Sequence, residues 1–144
     1  MEFTLNLVPN RQAISFVDQT MASYMSLYNL PSKRELCFVV HELVINAVEA
    51  MGNAKENTSE KIQIHVSQDD EEIKVIVIDH GKGIPETDWE EALKFDLGEI
   101  SFSDRGRGLF FVKNMVDKIW FENLAETKFL VGVSKKIDVS SEEL

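Results

Sequence analysis

Glu42 and Asn46 are the first polar residues whose spacing suggests chemistry rather than packing. They stand four positions apart in "ELVINAVEA", within an otherwise apolar segment. On a helix, residues at i and i+4 lie on one face, and a carboxylate one turn from an amide oxygen can hold a hydrated Mg²⁺. A solvated stripe that includes Glu49 is the alternative. Asparagine is a mediocre helix former, and its presence at position 46 favours the ligand site.

Asp79 is the second unusual residue, because it ends a segment that is otherwise suited to burial. The stretch "EEIKVIVIDHGKGIPE" runs from an apolar strand into Asp79, His80, Gly81 and Gly83. A sharp turn needs only the glycines, whereas a carboxylate at the edge of a core is costly unless a hydrogen-bond donor meets it. We expect that donor to belong to a ligand and not to the protein.

A third stretch, "GRGLFFVKN", places Gly106 and Gly108 just before a predicted apolar helix. Free backbone N–H groups and the helix dipole favour phosphate at such a position, although a simple turn before a helix is the alternative. Arg105 and Arg107 add positive charge beside those amides, which a turn does not need. Phe111 stands where a dinucleotide fingerprint has its third glycine, and the chain contains no P-loop sequence.

The elements that must position these residues follow from the hydrophobic periodicity. "EFTLNLV" alternates like a strand with one buried face, and Asn10 can cap a helix that continues to "YNLP". A second helix starts near Ser32 and carries Glu42 and Asn46. The polar stretch from Gly52 to Glu60 predicts a loop, and "KIQIHVS" and "EEIKVIVID" predict two strands joined by a hairpin turn.

The second half of the chain has weaker signals. "ETDWEEALKF" predicts a short helix, "DLGEISFSDR" an irregular and mobile segment, and "GLFFVKNMVDKI" a longer helix. "KIWFENLAETKFLVGVSKKI" predicts a final strand pair joined near Leu124 to Glu126. Adjacent strand pairs need antiparallel hairpins, so we expect an α+β fold: a two-layer sandwich with helices on one face of a mixed, mainly antiparallel sheet.

Length and composition narrow the class of protein. A chain of 144 residues fits one domain, with residues 138–144 as a frayed tail. The 25 acidic and 15 basic residues give a formal charge of -10, which disfavours binding to nucleic acid or anionic lipid. The single Cys37 gives no disulfide, the histidines show no metal-ligand spacing, and no apolar run could span a bilayer, so we expect a cytoplasmic protein.

The three stretches in this order resemble the motifs of the GHKL ATPase superfamily. "ELVINAVEA" is similar to its N box, "DHGKGIP" to its first glycine box and "GRGLFFVKN" to its second. The similarity runs from Ser32 to Ile137 and implies a Bergerat fold, in which ATP lies between helices and a mobile lid. The chain length and the variant "DRGRGLF" are most similar to the bacterial anti-sigma factor serine kinases.

This resemblance implies a role for each matching residue in binding ATP and Mg²⁺. Asp79 would accept a hydrogen bond from the adenine amino group, and Asn46 would hold Mg²⁺ at the phosphates. Thr127 would support Asp79 from the neighbouring strand. Gly81 and Gly83 would let the backbone pass close to the adenine base, and Gly106 and Gly108 would donate backbone N–H groups to phosphate. The implied binding residues of the two glycine boxes are Gly81, Gly83, Ile84, Gly106, Gly108 and Leu109.

The resemblance also implies catalysis and partners. Glu42 corresponds to the proposed general base for a serine hydroxyl, and Arg105 or Arg107 would stabilise charge on the γ-phosphate. The partners would be a sigma factor and an anti-anti-sigma protein of the STAS type, with a tendency to form homodimers. Alternatives are a nucleotide-gated binding module without phosphotransfer and a stand-alone ATPase or histidine-kinase-type catalytic domain. We expect His41 to pack against a neighbour rather than to accept phosphate.

Overall fold

The structure is a computed structural model that describes residues 1–52, 59–93 and 104–137, without the side chains of residues 104–107. Part of the loop predicted from Gly52 to Glu60 lies outside the described residues. Most of the predicted irregular segment "DLGEISFSDR" and the whole predicted tail, residues 138–144, also lie outside them. Among the helices described, none is both long and apolar enough to cross a membrane.

The described residues form helices and strands in the predicted order. In the first half these are β1 (Glu2–Leu7), α1 (Arg11–Leu27), α2 (Lys33–Ala50), β2 (Ile62–Gln68) and β3 (Glu72–Asp79). In the second half a 3₁₀ turn (Glu86–Asp88) is followed by α3 (Trp89–Ala92), α4 (Asp104–Met115), β4 (Lys118–Ala125) and β5 (Lys128–Lys136). The short helix predicted after the glycines is confirmed, and so are the hairpin strands.

The strands form one five-stranded sheet in the order β1-β2-β3-β5-β4. Every pairing is antiparallel, so the sheet is not mixed. Alternate residues of each strand face the helices and share one hydrophobic core with them. The predicted two-layer α+β architecture is therefore confirmed, with β3 in the middle of the sheet.

The two long helices form for the reasons that the sequence indicates. Asn10 caps α1, where its Oδ1 accepts a hydrogen bond of 3.0 Å from the backbone N–H of Ala13. α2 begins directly after Ser32, but Ser32 has a φ of 61° and its side chain makes no capping hydrogen bond. Most of the circumference of α2 is buried through these residues: Leu36, Val39, Val40, Leu43, Val44, Asn46, Ala47 and Val48.

The prediction for α4 was wrong at both ends. The helix starts at Asp104, so Gly106 and Gly108 lie inside it and not before it. Packing of α4 against α2 outweighs the low helix propensity of glycine. The helix ends at Met115, because the backbone N–H of Asp117 bonds to the Ser134 carbonyl oxygen at 2.9 Å and leads the chain into β4.

Lys135 connects the two helices that carry the polar motifs. Its side chain is 16% exposed on the helix-facing side of β5. Its Nζ donates a hydrogen bond of 2.6 Å to the carbonyl oxygen of Met115, at the end of α4, and lies 3.0 Å from Glu35 Oε2, in the first turn of α2. A cation at the end of α4 and an anion at the start of α2 each complement the dipole of that helix.

Replacing Lys135 by methionine should lower the free energy of unfolding by about 1–3 kcal/mol, because it leaves the Met115 carbonyl oxygen without a donor. Urea unfolding followed by circular dichroism measures the change. Glu35→Gln is the matched control, because this partner is half exposed and its loss should cost at most about 1 kcal/mol. Equal losses in the two variants would show that the contact to Met115 is not the stabilising one.

Candidate functional site

The polar stripe of α2 divides into a buried and an exposed part. Glu49 is exposed and Glu42 is half-buried, whereas Asn46 retains only 5% of its accessible surface. No described residue gives the Nδ2 atom of Asn46 a hydrogen-bond partner. An unsatisfied buried amide costs about 1–3 kcal/mol, so a polar ligand is the simplest reason for its presence. The solvated alternative therefore fits Glu49 and not Asn46.

Gly108 of α4 lies directly against this face of α2. A Cβ atom added at Gly108 would lie 2.5 Å from Oε2 of Glu42 and 3.8 Å from Nδ2 of Asn46. The missing side chain thus lets the two helices approach and brings both polar groups toward one point. Any larger residue at position 108 would push the carboxylate of Glu42 away from it.

The other residues of the second glycine motif are only partly described. Gly106 lies in the first turn of α4, where amide N–H groups have no partner within the helix, while the amide of Gly108 falls where an α-helix bonds it internally. The side chains of Arg105 and Arg107 lie outside the description, and their roles stay predictions. Leu109 is 1% exposed in the core, so only its backbone is available to a ligand.

Asp79 ends β3 with 1% of its surface exposed. Its Oδ1 accepts a hydrogen bond of 2.9 Å from the backbone N–H of Gly81. We expected the donor to Asp79 to belong to a ligand. That expectation was wrong for Oδ1, because the chain turns after Asp79 and brings the N–H of Gly81 to this oxygen. A carboxylate has about four acceptor positions, so the bond to Gly81 alone does not exhaust its capacity.

Both glycines after Asp79 are required by the protein's own packing. A Cβ at Gly81 would lie 2.7 Å from the carbonyl oxygen of Ala50, at the end of α2. Gly83 has a φ of +70°, and a Cβ there would lie 2.8 Å from the ring of Phe129. The neighbours of the two glycines in the structure are thus α2, β5 and Asn123 of β4, whereas the resemblance implied room for the adenine base.

Thr127 does not lie on the strand beside Asp79. It is exposed in the turn between β4 and β5, and the residue opposite Asp79 in the sheet is Phe129. β4 ends at Ala125 and β5 begins at Lys128, so Thr127 lies in the turn and is not paired with a residue of the sheet. Support of Asp79 by Thr127 stays a prediction.

Two residues that the sequence did not single out contact the glycine turn. The carbonyl oxygen of Ile84 accepts hydrogen bonds from Nε1 of Trp89 at 2.8 Å and from Nδ2 of Asn123 at 3.3 Å. Ile84 itself is 9% exposed. The sequence could have indicated Asn123, because asparagine is rare in strands and its occurrence inside β4 suggests a specific role.

His41 and Cys37 take structural positions on α2. Nδ1 of His41 lies 2.9 Å from both carboxylate oxygens of Asp18 on α1, which confirms the prediction that it packs against a neighbour. Cys37 is a half-buried free thiol, and burial raises its pKa, so less of it is thiolate at neutral pH. His80 is half-buried in the turn.

Comparison with known families gives one match over most of the chain. Residues 32–138 match the profile of the family described as histidine kinase-, DNA gyrase B- and HSP90-like ATPase. The matched range contains all three motifs and every candidate site residue. It begins at Ser32, directly before α2, and so excludes β1 and α1.

Individual relatives are more distant. The chain is 23% identical over 103 residues to a probable C4-dicarboxylate sensor kinase of Halalkalibacterium halodurans, a match that covers 72% of this chain and 19% of that protein. The chain thus spans about a fifth of that relative's length.

Two solved structures share the fold. The mycobacterial sensor histidine kinase MprB has a TM-score of 0.60 at 13% identity, covering 94% of this chain and 98% of that one. The catalytic domain of the histidine kinase ThkA, in a nucleotide-free form, has a TM-score of 0.61 at 20% identity, covering 95% and 96%.

The three glycines should respond differently to alanine because their neighbours differ. Gly81→Ala and Gly83→Ala should each lower the free energy of unfolding by about 1–3 kcal/mol, through contact with backbone and through backbone strain respectively. Gly108→Ala should be nearly neutral, since about 1 kcal/mol of helix propensity offsets the movement of a flexible Glu42 side chain. Chemical denaturation of the variants measures the ranking. A large loss in Gly108→Ala alone would contradict it.

Proposed function

The chain belongs to the histidine kinase-, DNA gyrase B- and HSP90-like ATPase family, and from this premise we propose that it is an ATP-dependent serine/threonine protein kinase. It acts as an anti-sigma factor that binds a sigma factor and phosphorylates an anti-anti-sigma antagonist of the STAS type on serine. The formal charge of -10 favours protein partners over nucleic acid. The kinase can also form homodimers.

The approach of Glu42, Asn46 and Gly108 to one point carries this proposal. A serine hydroxyl must lose its proton as it attacks phosphorus, and a half-buried carboxylate within reach of that proton acts as the general base. Asn46 beside it holds the phosphate end of the nucleotide in place. Positioning and electrostatics account for most of the catalysis in phosphoryl transfer, so a fixed Glu42 and Asn46 are the principal requirements.

The described residues fit ATP and Mg²⁺. The Nδ2 atom of the buried Asn46 has no hydrogen-bond partner among the described residues, and the amide oxygen and nitrogen can exchange places by rotation so that either faces the ligand. Bound Mg²⁺ would neutralise phosphate charge, held by Asn46 together with phosphate oxygens and water. Among the described residues no cluster of His, Cys, Asp or Glu could hold a metal ion unaided. Asp79 supplies the acceptor for the adenine amino group.

A histidine-kinase-type catalytic domain is the second candidate, because both solved structures named above are of histidine kinases and the curated relative is a probable sensor kinase. A neutral imidazole nitrogen attacks phosphorus through its own lone pair and needs no general base, so this function does not require Glu42 as a base. His41 would not be the acceptor, since its Nδ1 is hydrogen-bonded to Asp18. A third candidate, a nucleotide-gated binding module without phosphotransfer, would need neither a serine nor a histidine as phosphate acceptor.

Asp79→Asn should weaken ATP binding by about 10- to 100-fold, because a hydrogen bond to a charged acceptor contributes roughly 1.5–3 kcal/mol. The asparagine retains Oδ1 for the N–H of Gly81, so the turn is preserved. Calorimetric titration with ATP, ADP and GTP in the presence of Mg²⁺ measures the change. Equal affinity of the wild type for ATP and GTP would remove the adenine role assigned to Asp79.

Glu42→Gln should reduce phosphotransfer to serine by about 10²- to 10⁴-fold, the usual contribution of a general base, while ATP affinity stays close to that of the wild type. Purified protein, Mg-ATP and candidate antagonists are incubated, and phosphorylated products are identified by mass spectrometry. Phosphoserine survives acid, whereas phosphohistidine does not. Acid-labile product formed equally by wild type and variant would favour the histidine-kinase type. Binding that depends on ATP without any phosphoprotein would favour the binding module.

A further inference from the structure

The carbonyl oxygen of Ile84 is held by two side-chain donors that come from different parts of the chain. The indole N–H of Trp89 donates from the start of α3, at 2.8 Å. The amide of Asn123 donates from β4, at 3.3 Å. A carbonyl oxygen has two lone pairs, so this pair of donors saturates it. We call Trp89 and Asn123 the Ile84 clamp.

The sheet register places Asn123 beneath the glycine turn. Phe129 is paired with Asp79 on one side and with Asn123 on the other, so the three residues form one row across β3, β5 and β4. Directly paired residues in an antiparallel sheet project to the same face. The regular register of β4 ends at Asn123, because it shifts between Asn123 and Ala125.

Trp89 is fixed by aromatic packing on the same face of the sheet. Its ring lies 5.7 Å from that of Phe121, and Phe121 stacks on Phe129 at 5.8 Å. The ring of Phe129 in turn contacts the position where Gly83 lacks a side chain. Trp89 is half-buried and its indole N–H donates to Ile84, so the ring cannot rotate without breaking that hydrogen bond.

We propose that Trp89 and Asn123 are positioning residues that hold the turn from Asp79 to Ile84 in its nucleotide-binding conformation and thereby set the affinity for the adenine nucleotide. This proposal rests on the proposed function. Gly81 and Gly83 make the turn intrinsically flexible, and Gly83 adopts a positive φ that the clamp restrains. If the turn populates other conformations, the apparent affinity falls by the fraction of molecules that remain competent.

The test combines Trp89→Phe, which keeps an aromatic ring on Phe121, with Asn123→Leu, which keeps the side-chain branching. Each variant removes the hydrogen-bond donor to Ile84 and retains most of the side-chain volume. Each single variant should weaken ATP and ADP by the same factor, up to roughly tenfold for one hydrogen bond. The double variant should weaken both by more than the product of the single effects, since either donor alone still restrains the carbonyl. The turnover rate at saturating ATP should be unchanged.

Trp120→Phe is the matched control. Trp120 is the other tryptophan of the chain and packs over Gly132 on the sheet face that points away from the helices. Its replacement should leave nucleotide affinity unchanged, and it leaves Trp89 as the sole tryptophan. In this background, titration with ADP should change the tryptophan emission with the same dissociation constant that calorimetry gives. A residue that only stabilises the fold would not produce this signal far below the melting temperature.

The outcomes separate the two proposals. A double variant that binds ATP and ADP as tightly as the wild type, or a Trp89 emission that ignores saturating ADP, would overturn the clamp while leaving the proposed function intact. A wild-type protein that binds neither nucleotide would overturn both proposals. Weaker binding of ATP alone, with ADP unchanged, would also overturn the clamp, since the turn contacts the part of the nucleotide that both share.

Discussion

The contact between the end of α2 and the turn after β3 is the constraint on which the candidate site depends. Gly81 meets the carbonyl group of Ala50 so closely that no side chain fits between them. The apolar face of α2 rests on the sheet, and the contact with Gly81 fixes where along β3 the helix ends. Asn46 lies one helical turn before Ala50, so the same contact sets the position of its amide relative to the Asp79 end of the strand.

α4 completes the arrangement from the other side of α2. The glycine at position 108 allows close approach to Glu42 and Asn46, and Lys135 ties the end of α4 to the start of α2. The site therefore lies between elements that are distant in sequence. It includes a buried amide nitrogen that no described residue meets with a hydrogen bond, which is the kind of local inconsistency that functional sites show.

Several residues have both a packing role and a proposed binding role. Gly81 packs against α2, Gly83 packs against Phe129, and Asp79 accepts a hydrogen bond within its own turn. The same turn is the proposed binding site for adenine. These roles are compatible because a turn that is fixed by the protein loses little conformational freedom when a ligand binds. The row from Asp79 through Phe129 to Asn123 joins the turn to the sheet and gives it that rigidity.

The sequence by itself determined the order of the elements, the two-layer α+β class, the cap at Asn10 and the three polar motifs, because periodicity, capping and glycine placement act over a few residues. Only the tertiary structure decided that Asn46 is buried while Glu49 is exposed, that Gly106 and Gly108 lie inside α4, and that Gly81 packs on Ala50. It alone also revealed Trp89 and Asn123. The physical reason is that burial, close approach and strand register depend on contacts between segments far apart in the chain, which local propensity does not encode.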